Sequence, residues 1–186
     1  MITLKLDEAE YIAARLLNEG GLGKHFYKFK ICGSIRRRKE EVNDIDIVAI
    51  PKAEARYEFG EESLSDFVDK HQKTPGETKL EKFLNGNKIK RFCYGKAIID
   101  LYLADASTFE TLCLIRTGSE MHNKRLATIA KGRGLKLSAA GKGLCKIKGG
   151  IYNNEPEEII EIIETTERGI LELLLGQYVE PEKREA

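Results

Sequence analysis

The stretch "KICGSIRRRKEEVNDIDIVAI", residues 30–50, places a basic segment directly before two carboxylates. Gly33 and Ser34 lead into three arginines and a lysine, and Asp44 and Asp46 follow with one isoleucine between them. The alternation in "YKFKIC" and in "DIDIVAI" predicts two β-strands. Side chains two apart on a strand share a face, so both aspartates point one way while the neighbouring isoleucines point into the core. The basic segment is either a solvated charge run or one half of a site completed by the carboxylates.

The carboxylate pair predicts a cation between its two members. Aligned carboxylates repel each other unless cations separate them, and two divalent ions about 3.5–4 Å apart meet this need. Asp100, the single charge in the apolar strand "KAIIDLYLA", is a candidate third ligand, although an exposed position on a one-sided sheet would also explain it. Three aspartates on neighbouring strands favour two-metal nucleotidyl transfer.

The Gly-Ser pair offers a partner for the phosphates of such a reaction. A Gly-Ser turn that opens a short helix presents backbone N–H groups and a hydroxyl to an anion. Arg36 and Arg37 would add charge-assisted hydrogen bonds to phosphate oxygens. Arg38 and Lys39 carry no specific prediction and are interpreted as solvated charges.

The rest of the chain predicts an α+β fold. Helices are expected at "DEAEYIAARLLNEGG", "SLSDFVDKHQK" and "GETKLEKFLNG", the last two on either side of a Thr74-Pro75-Gly76 turn, followed by a hairpin of "KIKRFCY" and "AIIDLYLA" around Gly95-Lys96. Beyond Asp105, "SEMHNKRLATIAKGRG" predicts a helix with Ser119 as its N-cap, and "TERGILELLLG" predicts one capped by Thr166. Short strands are expected in "LKLSAAGKGLCKIKGGIY", and "EEIIEII" is compatible with strand or helix.

Composition narrows the class of protein further. The chain has 186 residues, is 41% hydrophobic and 33% charged, and carries a net charge of +1, which suits a globular protein. The sequence shows neither a membrane-spanning run nor a signal peptide, so an intracellular, non-secreted location is expected. The four dispersed cysteines are interpreted as buried thiols. Residues 124–148 contain basic side chains and no acid, so they offer a local surface for polyanions or simply a solvated face.

These motifs together resemble the nucleotidyltransferase signature of DNA polymerase beta and its relatives. Three further segments resemble the family X DNA polymerases in particular: "GNKIKRFCYGKAIIDLYL", "RTGSEMHNKRLATIAKGRGLKLSAAGKGL" and "TTERGILELLLGQYVEPEKRE". The resemblance implies a nucleotidyltransferase palm with a mixed β-sheet and flanking helices at 1–106, then a small α+β thumb at 107–186. The lyase and helix-hairpin-helix domains of larger members are not expected, so the chain resembles the minimal palm-plus-thumb type.

The resemblance also implies roles for individual residues. Asp44, Asp46 and Asp100 would be the catalytic metal ligands, for two Mg²⁺ ions that Mn²⁺ can replace. The implied nucleotide contacts are Gly33, Ser34, Arg36, Arg37, Arg116, Thr117, Gly118, Glu120 and Asn123. The implied DNA contacts are Lys88, Lys90, Lys124, Arg125, Lys131 and Arg133. The expected partners are primer-template or gapped DNA and a dNTP, bound by a monomer that fills short gaps in DNA repair.

Several positions depart from the family pattern. Ile115-Arg116 replace the usual aromatic pair that screens the sugar 2′ position, Asn43 replaces a glycine, and Ile98 replaces an arginine two residues before the third aspartate. The first departure keeps open a template-independent or RNA-directed nucleotidyltransferase with relaxed sugar selectivity. A binding module without activity is a further alternative.

Overall fold

The computed structural model describes residues 3–52, 63–71, 83–150 and 155–185. The chain divides into two compact units, Met1–Asp105 and Ala106–Ala186. The predicted helix "GETKLEKFLNG" and the Thr74-Pro75-Gly76 turn fall mostly or wholly outside the described residues. None of the described helices is long and apolar enough to cross a membrane.

The first unit is built on a five-stranded mixed sheet. Its elements are β1 (Leu4–Lys5), α1 (Leu6–Leu17), β2 (Phe26–Ile31), α2 (Gly33–Arg36), β3 (Glu41–Val42), β4 (Ile45–Pro51), α3 (Leu64–Lys70), β5 (Leu84–Asn85), β6 (Ile89–Tyr94) and β7 (Ala97–Leu103). The large sheet has the strand order β2-β4-β7-β6-β5. β4 and β7 pair in parallel, and the remaining pairs are antiparallel. The predicted fold class, α+β with a mixed sheet and flanking helices, is confirmed.

One face of this sheet is covered by helices. The helix α1 presents Ala9, Ala13 and Leu16, spaced four and three residues apart, to a core that also contains Phe67 of α3 and Phe92 of β6. Ser63 caps α3 through a capping box with Asp66, because each residue accepts a hydrogen bond from the backbone of the other. The opposite face is therefore the one left for polar side chains.

One local prediction in this unit is wrong. The Asn85-Gly86 pair at the end of "GETKLEKFLNG" predicts a helix cap, but Leu84 and Asn85 form β5 and pair with Arg91 and Lys90 of β6. The Asn85 amide donates to the Ser65 carbonyl at 3.1 Å and to Asp69 Oδ1 at 2.9 Å. Contacts distant in sequence thus override the Asn-Gly signal.

The second unit combines three helices with a three-stranded antiparallel sheet. Its elements are α4 (Phe109–Thr117), α5 (Glu120–Gly132), β8 (Leu135–Leu137), β9 (Leu144–Gly150), β10 (Glu155–Glu164) and α6 (Glu167–Leu175). The strand order is β10-β9-β8, so the ambiguous "EEIIEII" segment is a strand. Ser119 and Thr166 cap α5 and α6 as predicted, each accepting a backbone hydrogen bond from three residues on.

Apolar side chains of the three helices form the core of the second unit. Leu114, Leu126, Ile170 and Leu171 are fully buried there. The four cysteines of the chain are buried free thiols, as expected.

Candidate active site

Two of the three candidate metal ligands lie on adjacent central strands of the large sheet. Asp46 of β4 and Asp100 of β7 are direct Cα partners in the parallel pair, so their side chains emerge on the same face. The isoleucines on either side of Asp46 are fully buried, as predicted. Asp100 is only 5% exposed, which excludes the solvent-exposed position considered as its alternative.

The third candidate, Asp44, is not on the strand. β4 begins at Ile45, and Asp44 lies in the bend that follows β3. Burial, and after it repulsion from Asp100, raises the pKa of Asp44 above its ordinary value, while Arg91 opposes the rise. Asp44 and Asp100 therefore repel each other, and negative charge of this kind suits a hard divalent cation.

Arg91 is the residue of this site that the sequence prediction missed. It is the cross-strand partner of Asp100 on β6. Its Nε donates to Asp100 Oδ1 at 2.5 Å, and its Nη2 donates to Asp100 Oδ2 and lies 3.5 Å from Asp44 Oδ2. The Tyr102 hydroxyl reaches Asp100 Oδ2 at 3.4 Å. In the described part of the chain, no group of three or more His, Cys, Asp and Glu side chains is arranged to hold a metal ion. Both carboxylate oxygens of Asp100 are instead hydrogen-bonded to Arg91.

The Gly33-Ser34 turn lies directly against Asp46. Gly33 has a φ of +57°, and a Cβ added to it would lie 2.0 Å from Asp46 Oδ2. The Cys32 N–H donates to the Asp46 carbonyl at 2.8 Å, which fixes the turn to β4. The Gly-Ser turn and Asp46 are therefore neighbours in space. Arg38, by contrast, pairs with Glu10 at 2.5 Å.

The second unit holds the predicted sugar and base contacts. Thr117 ends α4, its side chain is buried, and its hydroxyl donates to the Cys113 carbonyl at 2.6 Å. The Gly118–Ser119 peptide bond is cis. Asn123 donates from Nδ2 to the Ile115 carbonyl at 2.7 Å, and its Oδ1 has no hydrogen-bond partner among the described residues.

The C-terminal segment is hydrogen-bonded to the Gly118–Ser119 turn. The Ser119 N–H donates to the Arg184 carbonyl at 2.9 Å, and the Ser119 hydroxyl donates to the Glu185 carbonyl at 3.2 Å. Arg184 is fully buried and pairs with Glu167 of α6 at 2.6 Å. The predicted nucleotide contacts of the second unit thus depend on a buried ion pair that the sequence prediction did not include.

The predicted DNA contacts separate into two groups. Lys90 is buried, its ammonium donates to Ser65 and Asn85, and desolvation lowers its pKa, so its placement counts against a DNA contact. Arg133 donates to the carbonyls of Leu173 and Leu174 at the end of α6, which gives it a structural role. The remaining members, Lys88, Lys124, Arg125 and Lys131, are exposed, as Arg133 also is.

Part of the basic run in residues 124–148 is balanced by acids. On β9, Lys146 and Lys148 face Glu161 and Glu158 of β10 across the ladder, and Lys136 of β8 pairs with Glu157. The exposed basic side chains without such a cross-strand acid lie mainly on α5. On α5, Lys124 pairs with Glu120 at 2.6 Å, so part of the basic charge of that helix is also balanced.

His122 gives the second unit a pH-dependent stability. This histidine is 1% exposed, and burial, assisted by Arg184 and Arg125, lowers its pKa to about 4. The unfolded chain takes up a proton below pH 6.5 and the native state does not, so stability falls as the pH drops from 6.5 towards 4. We expect the wild type to lose about 2 kcal/mol more than His122→Phe between pH 7 and pH 5, measured by urea unfolding. Equal losses in the two proteins would contradict the buried neutral imidazole.

Comparison with known proteins agrees with the predicted fold. The family model "DNA polymerase beta thumb" matches residues 112–185. The DNA polymerase/3'-5' exonuclease PolX of Bacillus subtilis (strain 168) is 32% identical over 117 residues, which are 63% of this chain and 19% of that protein. The crystal structure of Leishmania infantum polymerase beta, a "Ternary P/T complex", matches with a TM-score of 0.65 at 19% identity and covers 100% of this chain and 77% of that one.

The likeness to this solved structure shows that the chain has the polymerase beta fold. The thumb match and the curated relative support a family X DNA polymerase. It spans about a fifth of the length of that curated relative.

Proposed function

We propose that the protein is a DNA-directed DNA polymerase that adds dNTPs to a primer 3′-OH during short-gap filling. The observation that carries the proposal is the register of β4 and β7, which sets Asp46 beside Asp100 with Gly33 against Asp46. The match to the DNA polymerase beta thumb and the similarity to a DNA polymerase support DNA as the substrate.

The chemistry of the three carboxylates suits divalent metal ions, although the described residues form no ready metal cluster. Asp44, Asp46 and Asp100 offer carboxylate oxygens, which are the donors that Mg²⁺ prefers, and Arg91 offsets part of the negative charge of Asp44 and Asp100. We propose that they hold two Mg²⁺ ions, which Mn²⁺ can replace. Such ions, when bound, activate the primer hydroxyl and stabilise the charge of the transferred phosphoryl group and of the departing pyrophosphate.

The remaining residues would bind and orient the substrates. Ser34, Arg36 and Arg37 follow Gly33 in a single helical turn and would hold the triphosphate. In the second unit, we propose that the Thr117–Gly118 backbone follows the sugar and that the Asn123 side chain contacts the minor-groove edge of the base. Arg116 and Glu120 remain proposed nucleotide contacts.

DNA would be held through its phosphates by exposed lysines and arginines. Lys124, Arg125 and Lys131 on α5, with Lys88 in the first unit, are the proposed contacts. Binding by such contacts is salt-sensitive and independent of sequence. We expect the protein to act as a monomer.

Ile115 and Arg116 favour one second candidate, nucleotidyl transfer with relaxed sugar selectivity. They occupy the last turn of α4, where the family usually has an aromatic pair that screens the 2′ position. Transfer to untemplated ends or to RNA would then be possible.

Primer extension on gapped DNA tests both candidates. With Mg²⁺ and dNTPs we expect templated extension, and we expect Asp100→Asn to lower its rate by about a thousandfold or more, since a lost metal ligand removes several kcal/mol of transition-state stabilisation. Asp7→Asn, an exposed position in the first turn of α1, is the matched control and should keep the wild-type rate.

The nucleotide and template arms of the assay separate the candidates. Products that do not follow the template, or NTPs used as readily as dNTPs, would favour the second candidate. An Asp100→Asn protein as active as the wild type would contradict both.

A further inference from the structure

Arg91 engages two of the three candidate metal ligands at once. Its guanidinium makes a two-point hydrogen bond with Asp100 and lies 3.5 Å from Asp44 Oδ2. The side chains of Arg91 and Asp100 are 26% and 7% exposed, so the pair is largely shielded from water. The guanidinium therefore lies beside the oxygen atoms that a metal ion would need.

The fold fixes this arrangement. Tyr94 and Ala97 close the hairpin of β6 and β7, and the same ladder sets Arg91 opposite Asp100. An arginine guanidinium is not deprotonated in proteins, and two hydrogen bonds to Asp100 hold this one in place. Arg91 is thus a permanent positive charge held on the carboxylate-bearing face.

We propose that Arg91 is the resident counter-ion of the carboxylate cluster: it holds Asp44 and Asp100 in the metal-free protein and opposes cation binding there, so it sets the metal affinity of the site. The inference rests on the proposed function, because it takes these aspartates as the metal ligands. Two charges of like sign about 5 Å apart repel strongly in a partly buried site. A metal ion must therefore displace Arg91 from Asp44 and weaken its hydrogen bonds to Asp100.

A purely orienting role for Arg91 makes the opposite prediction. Residues that position a metal ligand typically cost about 10- to 100-fold in metal affinity when they are removed. A resident counter-ion raises the affinity when it is removed, because a repelling charge disappears. The sign of the change therefore distinguishes the two roles.

The test is a Mn²⁺ titration followed by electron paramagnetic resonance, without DNA or nucleotide. We expect Arg91→Met to bind Mn²⁺ about tenfold more tightly than the wild type, or more. Arg91→Lys keeps the charge and should remain within about threefold of the wild type. Arg38→Met is the matched control, since it removes an arginine of the same unit that pairs with Glu10, and it should leave the affinity unchanged. Loss of the gain in an Arg91→Met, Asp100→Asn double variant would assign it to this site.

Mn²⁺ affinity in Arg91→Met that equals or falls below that of the wild type overturns the proposal. If the wild type binds no Mn²⁺ and Arg91→Met does, the proposal is supported, and if neither binds, it is overturned. Primer extension is a separate readout. If the wild type extends primers and Arg91→Met has an unchanged Mn²⁺ affinity, the counter-ion proposal is overturned while the polymerase proposal is retained.

The wild type offers a measurement that needs no variant. The Nε–H proton of Arg91 should exchange slowly with water in EDTA and faster once Mg²⁺ is added, as seen by ¹H–¹⁵N NMR. Saturation with Mg²⁺ that leaves this proton unchanged would also overturn the proposal.

Discussion

Replacing Gly33 with alanine is expected to lower the rate of primer extension by about a hundredfold, because a carboxylate displaced by about 1 Å loses its productive geometry. A Cβ at this position would lie 2.0 Å from Asp46 Oδ2, and the contact also involves the Asp46 Cγ and Cβ atoms at 2.9 and 3.1 Å. The carboxylate has to move, since the turn itself is bonded to β4 through Cys32. The measurement is single-turnover nucleotide insertion, together with Mn²⁺ affinity.

The chain provides a matched control for this substitution. Gly95 has a φ of +58°, nearly identical to the +57° of Gly33, but an added Cβ there meets nothing within 4 Å. Gly95→Ala thus adds the same backbone strain, about 1–2 kcal/mol, without the collision. If both variants lose the same activity, strain and not the position of Asp46 is responsible.

Replacing Glu167 with glutamine is expected to reduce the free energy of unfolding by about 3–5 kcal/mol, because the fully buried Arg184 guanidinium loses its compensating charge. Arg184 keeps only neutral partners, such as the Val179 carbonyl that accepts from its Nε at 2.9 Å. The measurement is chemical denaturation followed by circular dichroism. The hydrogen bonds from Ser119 to the C-terminal segment should also weaken when the Glu167–Arg184 ion pair is lost.

Glu172 serves as the control in the same helix. It pairs with Arg168 at 3.1 Å, and both side chains are about half exposed or more. Glu172→Gln should cost less than about 1 kcal/mol, since exposed ion pairs contribute little. Similar losses in the two variants would refute the special role of the buried pair.

Local patterns were enough to predict most of the first unit's site. Alternation placed Asp46 and Asp100 on strands, and the Gly-Ser signal placed a turn beside them. The two-residue turn at Gly95-Lys96 also implies that Arg91 faces Asp100, since counting outward from the turn pairs the two positions. The signal for Arg91 was therefore in the sequence, although the prediction did not use it.

Other features depend on contacts that local patterns do not encode. The parallel pairing of β4 with β7 joins strands about fifty residues apart. Lys90 lies on the same buried face of β6 as Phe92. A lysine side chain predicts a solvent-exposed position, and only its partners Ser65 and Asn85, which are distant or non-local in the pattern, explain its burial. The Glu167–Arg184 pair likewise joins the start of α6 to the end of the chain.

The parallel register of β4 and β7 has a mechanical consequence. Asp46 and Asp100 are held by ladder hydrogen bonds on two central strands, so their backbones are spaced by the sheet itself at about 4.8 Å. Asp44 belongs to a bend with no ladder of its own. The backbones of Asp46 and Asp100 are therefore fixed relative to each other, whereas the backbone of Asp44 is adjustable. A change in the backbone spacing of the three residues would come from a movement of Asp44.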